Sequence, residues 1–484
     1  MKESIFNSKL NSIKEYFMRG SSYFTMEMPE YFDFDKMLVE IDKILPKDFN
    51  SIINSKLKPE YCDNVSCPIF YEKNSLLQWR KLILVNPILY VGLVNLITSK
   101  ENWEQLKSRY CNLTSNTKIK CCSIPTISQN SKKTSILNWY NEFEQKTIEL
   151  SMKYEYMAVT DITNCYSSIY THSLSWAIEG KENAKKNRNS KTLGNMIDGF
   201  MQKMQYGQTN GLPEGNEVSN FLAEMLLAYI DNELSLKINY DDYYILRYRD
   251  DYRIFANDKC IIDEVLINLT KILNSVGMRL NSTKSIITDN ILSLPIKVDK
   301  GRLICEAISL SGNMQNDIYR IWEFNERYNG SGQVKKLLTN YIKKYKKKFK
   351  TKLKNLNQIM AYIIDMALKN SQLYTYIFVI LTSLRDEETK KYCRIIGEKF
   401  DKKPYSDYLM IWLQRVTMAY KIFDEKYDSK VCESINSKEV KIWNNSWSSK
   451  DFQKQINMCI DREKLKKVKK SISFDILDIF KEYE

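Results

Sequence analysis

Tyr243 to Ala256 reads YYILRYRDDYRIFA, and the fold turns on how this stretch is taken. Apolar and aromatic residues flank a central carboxylate pair, Asp250-Asp251. That arrangement predicts two β-strands joined at a tight turn, with the carboxylates at its tip. By itself the pair is weak evidence, because aspartate is common in turns for local hydrogen-bonding reasons.

Working outward, the segment YMAVTD ends a predicted strand at Asp161, 89 residues before Asp250, after a helical pattern over Asn138 to Lys153. Between the two carboxylate positions lie a Lys/Asn-rich link, the helical LGNMIDGFMQKM, the turn-like NGLPEG and a helix over Asn216 to Leu234. Past the hairpin, Ile261 to Val276 is an amphipathic helix stopped by Gly277, and MRLNSTKSIIT resumes as strand and loop. Upstream, an extended piece ends near Pro87 and a helix follows, while Thr114 to Lys133 reads as loop. From about Gln315 the pattern is helical almost to the end, with lysine clusters at Lys335 to Lys354 and Lys464 to Lys470.

Composition narrows the chemistry. The chain has 484 residues, 43% apolar and 27% charged, which is globular rather than disordered or fibrous. A single histidine, His172, excludes Ser-His-Asp triads, HExxH sites and multi-histidine metal centres. Any catalytic metal must then rest mainly on carboxylates. Eleven cysteines without framework spacing fit a reduced compartment, and cytoplasmic location is expected. The longest apolar run, Leu82 to Ile97, is interrupted and too short to span a bilayer, so no membrane is expected. Seventy-three basic against 59 acidic residues give +14, which points to a polyanionic partner, nucleic acid first, with mere solubility as the alternative.

The order of motifs is more specific than any one of them. Asp161 is followed at +5 by Tyr166. Then come Gly211-Leu212-Pro213-Glu214-Gly215 with Ser219 and Leu222-Ala223-Glu224, next Tyr248-Arg249-Asp250-Asp251, and finally Leu280-Asn281 with Lys284. This series, within Tyr71 to Asp289, resembles the palm motifs of reverse transcriptases. The resemblance implies an α+β fold: palm and fingers over 71–300, an N-terminal accessory segment over 1–70, and a helical, thumb-like C-terminal domain over 301–484.

The resemblance also implies roles. Asp161 and Asp250 would bind two Mg²⁺ ions, helped by Asp251 and the Ile162 backbone. Two such ions about 4 Å apart clamp the attacking and leaving oxygens of nucleotidyl transfer. If Asp161 lay more than about 10 Å from the hairpin tip, that reading would fail. Tyr166 would exclude a 2′-hydroxyl, with a core aromatic as the alternative. Lys284 would stabilise charge or donate a proton at the leaving pyrophosphate, with a solvated lysine as the alternative. Gly215 and Ser219 fall in the nucleotide-binding motif, and Arg80 and Lys81 would grip the β- and γ-phosphates unless they are an ordinary surface pair. Glu214 departs from the glutamine usual there, which puts copying of arbitrary templates in question.

Ile169 to Arg188, IYTHSLSWAIEGKENAKKNR, together with YGQTNGLPEGN, is similar to the bacterial abortive-infection and defence-associated reverse transcriptases, the AbiK-like group. That likeness implies antiphage defence, homo-oligomeric assembly, and polymerisation of dNTPs into DNA. Synthesis would be primed by a protein hydroxyl, with Tyr483 one candidate, and run without a template or on a bound noncoding RNA. Two alternatives stand beside it: a retron- or group II intron-like enzyme with ordinary priming, and an RNA-binding scaffold with an inactive palm. The lysine clusters at Lys335 to Lys354 and Lys464 to Lys470 are the expected places for RNA phosphates, and Tyr341, Tyr345 and Phe349 recur at i, i+4 spacing as stacking partners, with a solvated helix face over a buried aromatic stripe as the alternative. His172 is expected to be a structural hydrogen-bonder.

Overall fold

The computed structural model describes residues 4–477 apart from 55, 76–77, 128–130, 189, 307–309, 401–405, 423–426, 438, 450–452, 454–458 and 475. Tyr483 therefore lies outside the described residues.

The fold is α+β. Two strands, β1 (Cys67–Ser75) and β2 (Gln78–Leu84), form an antiparallel ribbon. A separate five-stranded sheet has the order β3-β5-β6-β4-β7, from β3 (Ile119–Cys121), β4 (Tyr156–Asp161), β5 (Tyr243–Tyr248), β6 (Asp251–Ala256) and β7 (Ile286–Thr288). All its pairings are antiparallel except β3 with β5. The loop expected over Thr114 to Lys133 thus contains a strand. Three residues are too few to display alternation, and β3 owes its conformation to backbone bonds along β5.

Both faces of the central strands are covered. Ala158, Ile245 and Ile254 belong to the main core, and their neighbours Met157, Leu246 and Phe255 to a second, smaller one containing Phe143 and Tyr154. This explains why YYILRY and YRIFA read as nearly continuous apolar runs: successive side chains face opposite ways and both sides are dry.

Helix Glu217–Ser235 is capped by Asn216, whose side chain accepts from the Ser219 N–H. Gly215 precedes it at φ +108°, a conformation L side chains rarely adopt, so the turn into the helix needs glycine. The helix is buried on nearly every face, and that burial takes Glu224 and Asp231 inside with it.

The N-terminal segment shares the main core. Tyr90 donates to the Phe17 carbonyl at 2.7 Å, and Arg415 of the C-terminal region grips Glu30 with two bonds of 2.9 and 2.7 Å. Beyond the sheet the chain is helical, with helices Met314–Arg327, Gly332–Tyr345, Leu356–Lys369, Tyr374–Leu381, Asp386–Phe400 and Asp407–Ala419. The last of these docks on the ribbon, where the Phe70 N–H donates to Asp407. All eleven cysteines are free thiols. Among the described residues, no helix is long and apolar enough to cross a membrane.

Candidate active site

The turn between β5 and β6 consists of Arg249 and Asp250, since Tyr248 pairs with Asp251 across the hairpin. Arg249 takes φ +53°, a left-handed conformation that costs a non-glycine residue roughly 1 kcal/mol. Bonds on both sides hold it there. Its N–H donates to Ser123 Oγ at 2.7 Å, and its carbonyl accepts from Arg247 Nη1 at 3.2 Å.

Asp161, the last residue of β4, pairs with Asp251 of β6. Directly opposed residues of an antiparallel pair have Cα atoms about 4.5–5.5 Å apart. The next residue, Ile162, donates its N–H to the Asp250 carbonyl at 3.1 Å. Asp161 and the adjacent pair Asp250-Asp251 are therefore brought side by side at one end of the central strands. The third element there is the segment after Gly277. Asn281 donates its N–H to the Asp161 carbonyl at 2.8 Å, and Lys284 Nζ sits 2.6 Å from Asp161 Oδ2.

The electrostatics of this end are unbalanced. Burial pushes the Asp251 carboxyl up to about 6, and the neighbouring Asp250 adds to the shift. Burial raises Asp250 as well. Lys284 is held above the ordinary lysine range by its bond to Asp161. Asp161 Oδ1 is buried without a hydrogen-bond partner. Among the described residues, no three His, Cys, Asp or Glu side chains are gathered closely enough to enclose a metal ion. The donor chemistry nevertheless suits Mg²⁺, a hard cation bound through one or two carboxylates that keeps several waters. A buried unpartnered carboxylate oxygen beside two carboxyls of raised pKa is a place where divalent charge would be favourable.

The other expected site residues are distributed as follows. Tyr166 is half-buried and lines a small cavity behind the hairpin together with Tyr16, Glu217, Glu224 and Arg249. Arg80 and Lys81 are exposed on β2, with Arg80 opposite Tyr71 across the ribbon. Gly215 packs against Leu82 and Phe24, and its carbonyl accepts from Thr25. Ser219 is buried at 1% exposure in the first turn of its helix, which removes its hydroxyl from the surface a nucleotide would approach. His172 Nδ1 bonds to Asp198, which also accepts from Gln202. Tyr341, Tyr345 and Phe349 are at most 1% exposed, so they are core residues and do not stack on RNA: the i, i+4 stripe is the inward face of its helix.

Sequence reasoning missed the support under the hairpin. Arg247, fully buried, donates to Asp231 Oδ2 at 2.7 Å and to Glu224 Oε2 at 2.9 Å. Glu224 also accepts from Ser123 Oγ at 2.6 Å, and Tyr252 donates to Asp231 at 3.0 Å. One network thus ties the buried helix, the β3 loop and both hairpin strands to the Arg249 turn. On the other face Arg253 stacks on the Phe143 ring and donates to Thr147 Oγ1 at 2.6 Å. The signal was present: Arg247 and Arg253 sit three residues either side of the Asp250 turn, inside otherwise apolar runs, where an unpaired charge would be prohibitive.

This geometry belongs to a palm-type sheet carrying carboxylates at a hairpin tip. Residues 94–299 match the family model described as reverse transcriptase (RNA-dependent DNA polymerase), so this segment is similar to a reverse transcriptase domain. That description names an RNA-dependent DNA polymerase, and members of the family use Mg²⁺ catalytically. No curated protein sequence matches the chain. Similar solved structures include apo telomerase from Candida tropicalis, at 13% identity and a TM-score of 0.32, covering 82% of this chain and 72% of that one. Telomerase from Candida albicans in complex with a TWJ fragment of telomeric RNA matches at 13% identity and a TM-score of 0.30, over 75% and 68% of the two chains. The C-terminally truncated Candida tropicalis enzyme matches at 14% and 0.31, over 52% and 55%.

Proposed function

We propose that this chain is a defence-type reverse transcriptase that polymerises dNTPs into DNA, with Asp161, Asp250 and Asp251 holding two Mg²⁺ ions. The observation that carries the proposal is the register of β4 on β6, which pairs Asp161 with Asp251 while Ile162 bonds to Asp250. When bound, the ions would supply charge neutralisation at the attacking and leaving oxygens. In the reaction the attacking hydroxyl oxygen, of a protein side chain at the start and of the DNA 3′ end thereafter, bonds to the α-phosphorus, the bond to pyrophosphate breaks, and the hydroxyl proton passes to solvent water. Lys284, poised against Asp161 and firmly protonated, is suited to meet the charge building on the pyrophosphate. Tyr166, beside the hairpin, would close the floor of the sugar site against a 2′-hydroxyl.

Antiphage protection, homo-oligomeric assembly and priming on a protein hydroxyl, without a template or on a bound noncoding RNA, complete the reading. They rest on the likeness of the stretch around His172 to the defence-associated enzymes. The test is incorporation of labelled dNTPs by the purified full chain with Mg²⁺. DNA linked to protein, or of low complexity, is expected. Free cDNA matching a supplied template would favour the retron- or intron-like alternative. Substituting Asp250→Asn and Asp251→Asn together should reduce incorporation at least about 10³-fold. Phage protection surviving that double substitution with RNA binding intact would establish the scaffold instead.

A further inference from the structure

The +14 net charge is concentrated in one place. Residues 327–364 contain eleven Lys and Arg and no Asp or Glu, leaving 62 basic against 59 acidic residues, or +3, in the rest of the chain. Eight of those eleven are the lysines from Lys343 to Lys354, and every one is exposed. They are displayed on a rigid support. Tyr341, Tyr345 and Phe349 lock the same segment into the core, and Ser331, the N-cap of helix Gly332–Tyr345, donates to Asp299 at 2.6 Å. Among the described residues, none of the eight makes an ion pair with a carboxylate. Lys344 donates to the Leu310 carbonyl, and Lys344, Lys346 and Lys348 lie over aromatic rings.

The second lysine cluster is built differently. Lys464 pairs with Asp33 at 3.0 Å, Lys466 with Glu463 at 3.0 Å and Lys470 with Asp386, while Arg462 donates to the carbonyls of Ser434 and Ile435. Those charges brace the C-terminal segment against the rest of the molecule.

We propose that the Lys343–Lys354 tract is a phosphate-backbone site for nucleic acid and that the 464–470 cluster is not. The identity of the partner rests on the polymerase reading above; the location rests on the charge distribution. An anionic membrane fits less well, because a membrane-surface helix needs an exposed apolar face and here that face is the core. A surface fixed by buried aromatics also binds without first paying to order itself.

The experiment is fluorescence anisotropy on the full chain, with a labelled RNA hairpin and a DNA hairpin of the same sequence, across a salt series. A K347Q/K350Q/K352Q/K354Q variant should lower the slope of log affinity on log salt by roughly 3 and weaken binding at least about tenfold. A K464Q/K466Q/K467Q variant should bind as wild type. Greater loss on the RNA arm identifies an RNA backbone, and equal loss a site shared with DNA. A wild-type slope in the first variant, or an equal loss in the second, overturns the proposal, as would loss of binding to anionic vesicles with hairpin binding intact. Circular dichroism confirms folding of both variants. A wild-type chain that binds as described yet incorporates no labelled dNTP with Mg²⁺ sinks the polymerase reading alone.

Discussion

Arg247 and Lys350 carry the same formal charge in opposite settings. Arg247 is fully buried beneath the hairpin with two carboxylates on its guanidinium, whereas Lys350 stands in solvent in a stretch with no carboxylate for many residues either way. In the sheet region charge is internal, paired and geometric: it decides where the Arg249 turn lies. In the Lys343–Lys354 tract charge is external and without a carboxylate partner, and the side chains beneath it are Tyr341, Tyr345 and Phe349. Internal pairs should therefore govern stability and be almost indifferent to salt, while the external tract should do the reverse.

The sharpest way to break this contrast is Arg247→Met. It leaves Glu224 and Asp231 buried without their cation, and removal of one partner of a buried pair costs about 3–5 kcal/mol. Urea unfolding should report a loss of that size, unchanged between low and high salt. The Lys347, Lys350, Lys352 and Lys354 substitutions should leave the same unfolding curve nearly unmoved. If the arginine variant lost less than about 1 kcal/mol, the network would not be what holds the turn.

A smaller effect separates the carboxylates at the tip from those beneath it. Asp251 has a folded-state pKa near 6, above its ordinary value, because burial and Asp250 disfavour its charge. The folded protein therefore binds the proton more tightly than the unfolded chain, and stability falls as pH rises from about 4 to 6. Above that window the penalty is complete. Asp251→Asn should accordingly stabilise the metal-free protein by about 1–3 kcal/mol at pH 8 and have little effect at pH 4. Thermal melts at the two pH values check this. Asp231 is also raised by burial, but Arg247 and Tyr252 engage its carboxylate, so Asp231→Asn should destabilise at pH 8.

The legible parts of the molecule were those where side-chain pattern and backbone conformation agree. The hairpin, the strand ending at Asp161, and the helices opening at Asn216 and near Ile261 all carry strong period-2 or period-3.6 signals with turn residues at their ends. β3 was invisible because its structure is imposed by a neighbour rather than by its own three residues. The roles of Glu224, Asp231 and Arg247 were hidden for a related reason: the two acids lie seven positions apart along one helix, and nothing local says that a strand arginine will meet both. Ser219 lies in a motif but points inward, because membership of a pattern fixes a residue's place in the chain and not its exposure. Spacing alone could not tell a stacking stripe from a buried one, whereas burial decides it for Tyr341, Tyr345 and Phe349.

The helical region also contains a buried carboxylate, which gives the finest test. Asp317 is fully buried and accepts from Ser311 N and Oγ at 2.7 Å each, from Gly312 N at 3.2 Å and from the Tyr345 hydroxyl at 2.5 Å. Burial pushes its carboxyl up, but these bonds more than reverse that and hold it below the usual range. Its contribution is therefore present at neutral pH and lost as pH falls through the depressed value. Here hydrogen-bond donors replace the cation that Glu224 and Asp231 use. Tyr345→Phe deletes one donor of four and keeps the ring packing, so it should cost about 1 kcal/mol at pH 7, and less in acid once Asp317 is protonated. Urea unfolding of this variant at pH 7 and in acid measures both quantities. A loss approaching that of Arg247→Met would mean that the tyrosine hydroxyl, rather than the cage of four donors, holds this carboxylate.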